Sequence, residues 1–156
     1  METPQRKPIR LPLSVYAAEG VIFSVTVGTR ERTAIFDDLV LGHACVGVLR
    51  ALSRSTGVRV YAYCLMPDHA HLLLGASARI SITGFVQRWK SLCYREGLKH
   101  GYGPASRWQR SFWDHGLRGD EDVWAAAKYV LENPVRAGLV KDPRDYPLSG
   151  SLEWDL

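Results

Sequence analysis

The stretch Tyr61-Ala-Tyr-Cys-Leu-Met-Pro-Asp-His-Ala-His-Leu-Leu-Leu74 constrains this chain more than any other. Apolar and aromatic runs flank Met66-Pro67-Asp68, so the segment reads as strand, turn, strand. Side chains alternate across a strand, which puts His69, His71 and Leu73 on one face of the second arm. Ala70, Leu72 and Leu74 then point to the other face, toward a core. Two imidazoles at this spacing lie roughly 7 Å apart at their Cα atoms, close enough to grip one metal ion. The same pair also suits a plainer role as satisfied polar neighbours on a half-buried strand. The hairpin alone does not separate the two.

Around the hairpin the periodicities define the remaining elements. Gly20 to Thr29 is rich in β-branched residues and alternates after Phe23, so it reads as a first strand. Asp37 and Asp38 supply the cap and first-turn acid of a helix. Leu41, Ala44, Cys45, Val48 and Leu52 recur along it at helical spacing, and Gly57 stops it. Val58 to Leu65 and His69 to Gly75 are the two arms of the hairpin. A second helix runs from about Ser81 to Lys99, with Ile82, Phe85, Val86, Trp89 and Leu92 on its buried stripe. Arg110 to Arg118 reads as a fourth strand. The order is βαββαβ, which predicts an α+β fold of the ferredoxin-like kind, an antiparallel sheet with helices on one face.

A further helix is appended. Asp120, Glu121 and Asp122 start it, Val123, Ala127 and Val130 form its apolar stripe, and Pro134 is expected to end it near Asn133. Tyr129 and Asn133, four apart, lie on one side of this helix. Small Ala125 and Ala126, one turn before Tyr129, leave its phenol reachable. The expected organisation is a basic N-terminal arm over residues 1–19, one domain over 20–140, and a short irregular tail over 141–156. At 156 residues, one domain has room for a real core.

Charge is distributed unevenly. The net charge is only +4, yet residues 79–118 hold eight basic side chains against the two acids Glu96 and Asp114. Trp89, Tyr94, Trp108, Phe112 and Trp113 interleave with them. Cations that neutralise phosphates beside aromatic faces that stack unpaired bases are what a nucleic-acid groove requires. The expected DNA contacts are therefore Arg88, Lys90, Arg95, Lys99, Arg107, Arg110, Trp113 and Arg118, with His115 meeting a phosphate or serving structurally. No apolar run approaches the ~20 residues of a membrane span. Cys45, Cys64 and Cys93 are odd in number and form no CxxC pair, so a reducing cytoplasm is the expected setting.

If the histidines hold a divalent ion, catalysis needs a further donor and an open position for substrate. Asn133 offers an amide oxygen one turn from Tyr129. A phenol is a poor nucleophile unaided, but becomes useful where a metal neutralises the phosphate under attack. The chemistry this predicts is transesterification on DNA, with tyrosine attacking a backbone phosphate. Without the histidines, Tyr129 would read as a packing or capping tyrosine near a helix end.

Three segments carry a resemblance: Tyr63 to Leu74, Ser111 to Arg118, and Lys128-Tyr-Val-Leu-Glu-Asn-Pro-Val-Arg-Ala-Gly-Leu-Val140. Together they resemble the single-tyrosine transposases of small bacterial insertion sequences, of the His-hydrophobic-His (HUH) class. The nearest branch is the REP-associated tyrosine transposases. The resemblance implies that His69 and His71 are metal ligands, that Tyr129 is the nucleophile and that Asn133 completes the metal site. It also implies Mg²⁺ or Mn²⁺, single-stranded hairpin DNA as substrate, and a covalent 5′-phosphotyrosine intermediate. Imidazole donors suit Mn²⁺ at least as well as Mg²⁺. Relatives that share sites across a dimer leave a homodimer open. Two departures stand out: Ala70 is smaller than the aliphatic residue common between the histidines, and Asp68 stands where asparagine is frequent. The alternatives are a domesticated hairpin-DNA-binding protein that no longer cuts, and an RNA-binding domain using Tyr61 and Tyr63 on its sheet.

Overall fold

The computed structural model describes residues 21–117 and 122–155. Its sheet has five antiparallel strands in the order β4-β1-β3-β2-β5: β1 Ile22–Gly28, β2 Arg59–Met66, β3 His69–Gly75, β4 Trp113–Gly116 and β5 Ser149–Gly150. Helices α1 (Leu39–Thr56) and α2 (Ile82–Lys99) join the first four strands in the order the periodicities predict. The α+β, ferredoxin-like arrangement is therefore the observed one.

Local chemistry sets the helix boundaries. Asp38 caps α1 by accepting from the backbone N–H groups of Val40 and Leu41, and Gly57 closes it in the left-handed region at φ 78°. Ser81 caps α2 through the N–H of Gly84. Both helices bury their stripes against one face of the sheet. Leu41, Cys45, Leu49, Phe85, Val86 and Trp89 meet Phe23, Val25, Val27, Ala70, Leu72 and Leu74 there. The Trp89 indole N–H donates to the Cys45 carbonyl, so even the largest core ring is hydrogen-bonded.

The opposite face is only partly covered. α3 (Val123–Leu131) starts at its cap Asp122 and packs on β2 and β3. Ala127 and Val130 seat against Ala62, Cys64, Met66 and Leu73. The helix ends at Leu131, close to Asn133 as expected, but the chain does not leave the helical region there. The chain kinks at Glu132 and makes a second short helix, α4 (Asn133–Arg136), with Pro134 buried in its first turn. Proline is tolerated there, because the first-turn N–H groups lack intrahelical acceptors anyway.

Two other expectations change. The fourth strand is shorter than Arg110 to Arg118, because only Trp113–Gly116 pairs with β1. The tail is not irregular: Ser149 and Gly150 pair with Cys64 and Tyr63 as an edge strand. Leu148 is fully buried in the main core, and the Tyr146 hydroxyl donates to the Leu65 carbonyl at 2.6 Å. The N-terminal arm, Arg118, and the acids Asp120 and Glu121 lie outside the described residues.

Candidate active site

The β2–β3 turn is fixed from outside before its histidines are placed. Thr29, fully buried at the end of β1, donates from its backbone N–H at 3.0 Å and from its hydroxyl at 2.9 Å to the Asp68 carbonyl. The Phe36 N–H donates to the Pro67 carbonyl. His69 and His71 follow on one face of β3, opposite Ala70 and Leu72, which lie in the main core.

Their Nε2 atoms converge to 3.1 Å, with the ring planes at 85°. Each outer nitrogen is engaged: His69 Nδ1 lies 2.6 Å from Asp68 Oδ1, and His71 Nδ1 lies 3.1 Å from Thr26 Oγ1. A carboxylate or hydroxyl on the outer nitrogen fixes ring orientation and leaves the inner lone pair for a ligand. Two nitrogens bound at right angles with bonds of about 2.1 Å would sit about 3 Å apart. The pair fits a divalent ion in spacing and in donor chemistry. Among the described residues no third His, Cys, Asp or Glu joins them, so further donors must be of another kind.

Electrostatics keep His71 ready to ligate. Burial, then the neighbouring His69, then the Arg136 charge push the His71 imidazole down to about 4, so it is neutral at pH 7. Partial burial raises the Asp68 carboxyl, but the hydrogen bond with His69 and the Arg32 charge outweigh it and hold the group below the ordinary carboxylate range. Arg32 Nε donates to Asp68 Oδ2 at 3.1 Å. It does so from a backbone with φ 56°, next to Glu31 at φ 59°, a conformation costly for residues other than glycine.

The strand register lays out the surroundings. Trp113, Thr26, His71 and Cys64 form one cross-strand row, and His115, Ser24, Leu73 and Ala62 the next. Trp113, 44% exposed, therefore stands two strands from His71, about 10 Å away at the backbone. His115 shares that face. Tyr129, on α3 over the same face, is 65% exposed. The Arg136 guanidinium lies 3.8 Å from the centre of its ring, and Nη2 donates to the Tyr129 carbonyl at 2.6 Å. Asn133 opens α4, where its Nδ2 donates to the Val130 carbonyl and leaves Oδ1 as the amide's acceptor.

The remaining basic residues are not gathered here. Arg88, Arg95 and Lys99 project from α2, behind the sheet, and Lys99 pairs with Glu96 at 3.0 Å. Arg107 and Arg110 are exposed on the loop before β4. Lys90 is a correction to the expected groove: it is buried, and its ammonium donates to the Gln109 carbonyl. A lysine in this position ties the loop to α2 rather than facing a ligand. Sequence reasoning missed Thr26, Arg32 and Arg136. Register explains Thr26, since it faces His71 only because β1 pairs with β3.

The model of the family described as "Transposase IS200 like" matches residues 18–130, nearly three quarters of the chain. The chain belongs to the IS200-like transposase family. An Escherichia coli K12 protein named REP-associated tyrosine transposase is 27% identical over 137 residues, covering 86% of this chain and 78% of its own. A Haemophilus influenzae protein assigned to the same type is 33% identical over 98 residues, and that match spans 56% of each chain. In three dimensions this IS200-like chain shares its fold with a REP-associated tyrosine transposase solved bound to a REP hairpin. The TM-score is 0.65 at 24% identity, over 96% of this chain and 82% of that one. The family is one of transposases, enzymes acting on DNA. Among the described residues no helix is long and apolar enough to cross a membrane.

Proposed function

We propose that this member of the IS200-like family cuts and rejoins single-stranded hairpin DNA by transesterification at Tyr129, with a divalent metal. The observation that supports this best is the convergence of the two Nε2 atoms at 3.1 Å, outer nitrogens engaged, on the face over which α3 holds an exposed tyrosine. A pure binding protein gains little from an exposed tyrosine on the same face as such a pair.

In the proposed step Tyr129 Oη forms a bond to the phosphorus of a backbone phosphodiester. The phosphorus–O3′ bond breaks, the phenol gives up its proton, and the departing O3′ takes one up. The strand on the 3′ side of the break stays on the enzyme through its 5′-phosphate as a 5′-phosphotyrosine, and the strand on the 5′ side leaves with a free 3′-hydroxyl. The phosphoester energy is kept in the covalent link, so rejoining needs no nucleotide cofactor. Bound to His69, His71 and Asn133, Mg²⁺ or Mn²⁺ would draw negative charge from the phosphate and stabilise the leaving oxygen. Asp68 and Thr26 hold the two imidazoles in register, and Trp113 offers an exposed ring on which an unpaired base stacks. The E. coli relative's name and the hairpin bound by the structural relative support hairpin DNA as the substrate class.

The decisive assay incubates labelled hairpin DNA, including the palindromes flanking the gene, with Mn²⁺ and resolves it on a denaturing gel. Label migrating with wild-type protein but not with Tyr129→Phe is the expected result. Tight binding with no adduct on any DNA would leave hairpin recognition alone, the property of a domesticated binder.

A further inference from the structure

An exposed aromatic ring on a helix has little packing to hold it in one rotamer, and Tyr129 is 65% exposed. An attacking oxygen, however, must be held close to its line of approach. Arg136 is the side chain that supplies the restraint. Its guanidinium covers the ring at 3.8 Å and its Nη2 donates to the carbonyl of the same residue at 2.6 Å. Nη1 lies 3.9 Å from Glu132 Oε2, so the guanidinium is itself tethered on another side. A planar guanidinium can do all of this at once, whereas an ammonium cannot stack.

A break between the two helices at Glu132 separates the two residues. In an uninterrupted helix residues seven apart are separated by about 10.5 Å along the axis. The long Arg136 side chain, from the last turn of α4, spans that distance to reach back over Tyr129.

We infer that Arg136 is the positioning residue of Tyr129, clamping the phenol ring in the orientation from which it attacks. This rests on the transesterification reading, and its test has two arms. The first measures adduct formation at saturating hairpin DNA and Mn²⁺ for wild type, Arg136→Lys and Arg136→Ala, with affinities taken in a Tyr129→Phe background. We expect Arg136→Ala to lower the saturating rate about 100-fold, the scale of a misplaced reacting group. Affinity and melting temperature should change little, Arg136→Lys should recover only part of the rate, and added guanidinium ion at millimolar concentration should rescue Arg136→Ala. A saturating rate within threefold of wild type would overturn the inference, as would a loss matched by lost affinity or folding. The second arm needs no activity. In NMR spectra of the metal-free protein, the Arg136 Cδ protons should be shifted upfield by the Tyr129 ring current and should return to ordinary positions in Tyr129→Leu. Identical positions in both proteins would overturn the clamp. Failure of the underlying reading has a different signature, since wild type itself would then form no adduct on any hairpin.

Discussion

At the scale of single residues, the histidine pair owes its character to what stands behind it. Asp68 accepts from His69 while held by Arg32, and Thr26 stands behind His71. Loss of such an outer partner typically costs 10–100-fold in metal affinity. Asp68→Ala should accordingly raise the Mn²⁺ concentration for half-maximal adduct formation by about 10–100-fold, leaving hairpin affinity in metal-free buffer unchanged. An unchanged metal requirement would remove Asp68 from the site. His71 makes a second prediction. Its folded value is depressed from 6.5 to about 4, so the unfolded chain takes up a proton first as the solution is acidified. Stability should fall as pH drops from 6.5 toward 4, and this part of the loss should be absent in His71→Gln. Melting curves across that interval check it; parallel pH profiles would show that the imidazole is not held neutral by the fold. The identity of the two histidines and their shared face were legible in the sequence, because alternation on a strand is a local rule. Thr26 and Arg32 were not, since each comes from another segment.

At the scale of elements, the tail and the kinked helix are where local rules stop working. Proline density after Val140 predicted irregular structure, but Leu148 fills a space above α1 that exists because Gly42 has no side chain; a Cβ there would collide with Leu148 Cδ1. With that anchor buried, Ser149 and Gly150 are carried to the open edge of β2. Leu148→Ala should therefore cost about 2–5 kcal/mol, read as a lower urea midpoint at unchanged slope. A midpoint equal to wild type would show that the tail contributes nothing to the fold. Pro134 was read as a stop because the residue before proline disfavours helix. The first helix does stop, at Leu131, but Asn133 is itself helical and opens a fresh helix, which carries Arg136 to within reach of Tyr129.

At the scale of the whole molecule, the sheet divides the basic stretch between two sides. Trp113 and His115 are on the histidine face, while Arg88, Arg95 and Lys99 ride on α2 behind it. Contacts to phosphate from α2 would then add affinity without touching the reacting atoms. Arg88→Gln combined with Arg95→Gln should leave the saturating adduct rate within about twofold of wild type, and any weakening of hairpin binding should come with a shallower salt dependence. Loss of the saturating rate in that variant would mean that the two faces act as one site. Trp113→Ala should instead weaken single-strand binding by about 1–3 kcal/mol, measured by fluorescence anisotropy on the unpaired segment.

The sequence by itself determined the βαββαβ order, the Asp38 and Gly57 ends of α1 and the common face of His69 and His71, all of which follow from periods and signals within a few residues. It also carried the family resemblance in three short segments. Only the tertiary structure decided that α3 lies over β2 and β3 of its own chain, that Lys90 is internal, that the tail becomes a strand, and that Arg136 covers Tyr129. These depend on strand register, and on which apolar face remains uncovered once the main core has closed. Both are set by contacts between residues far apart in the chain, which no local pattern encodes.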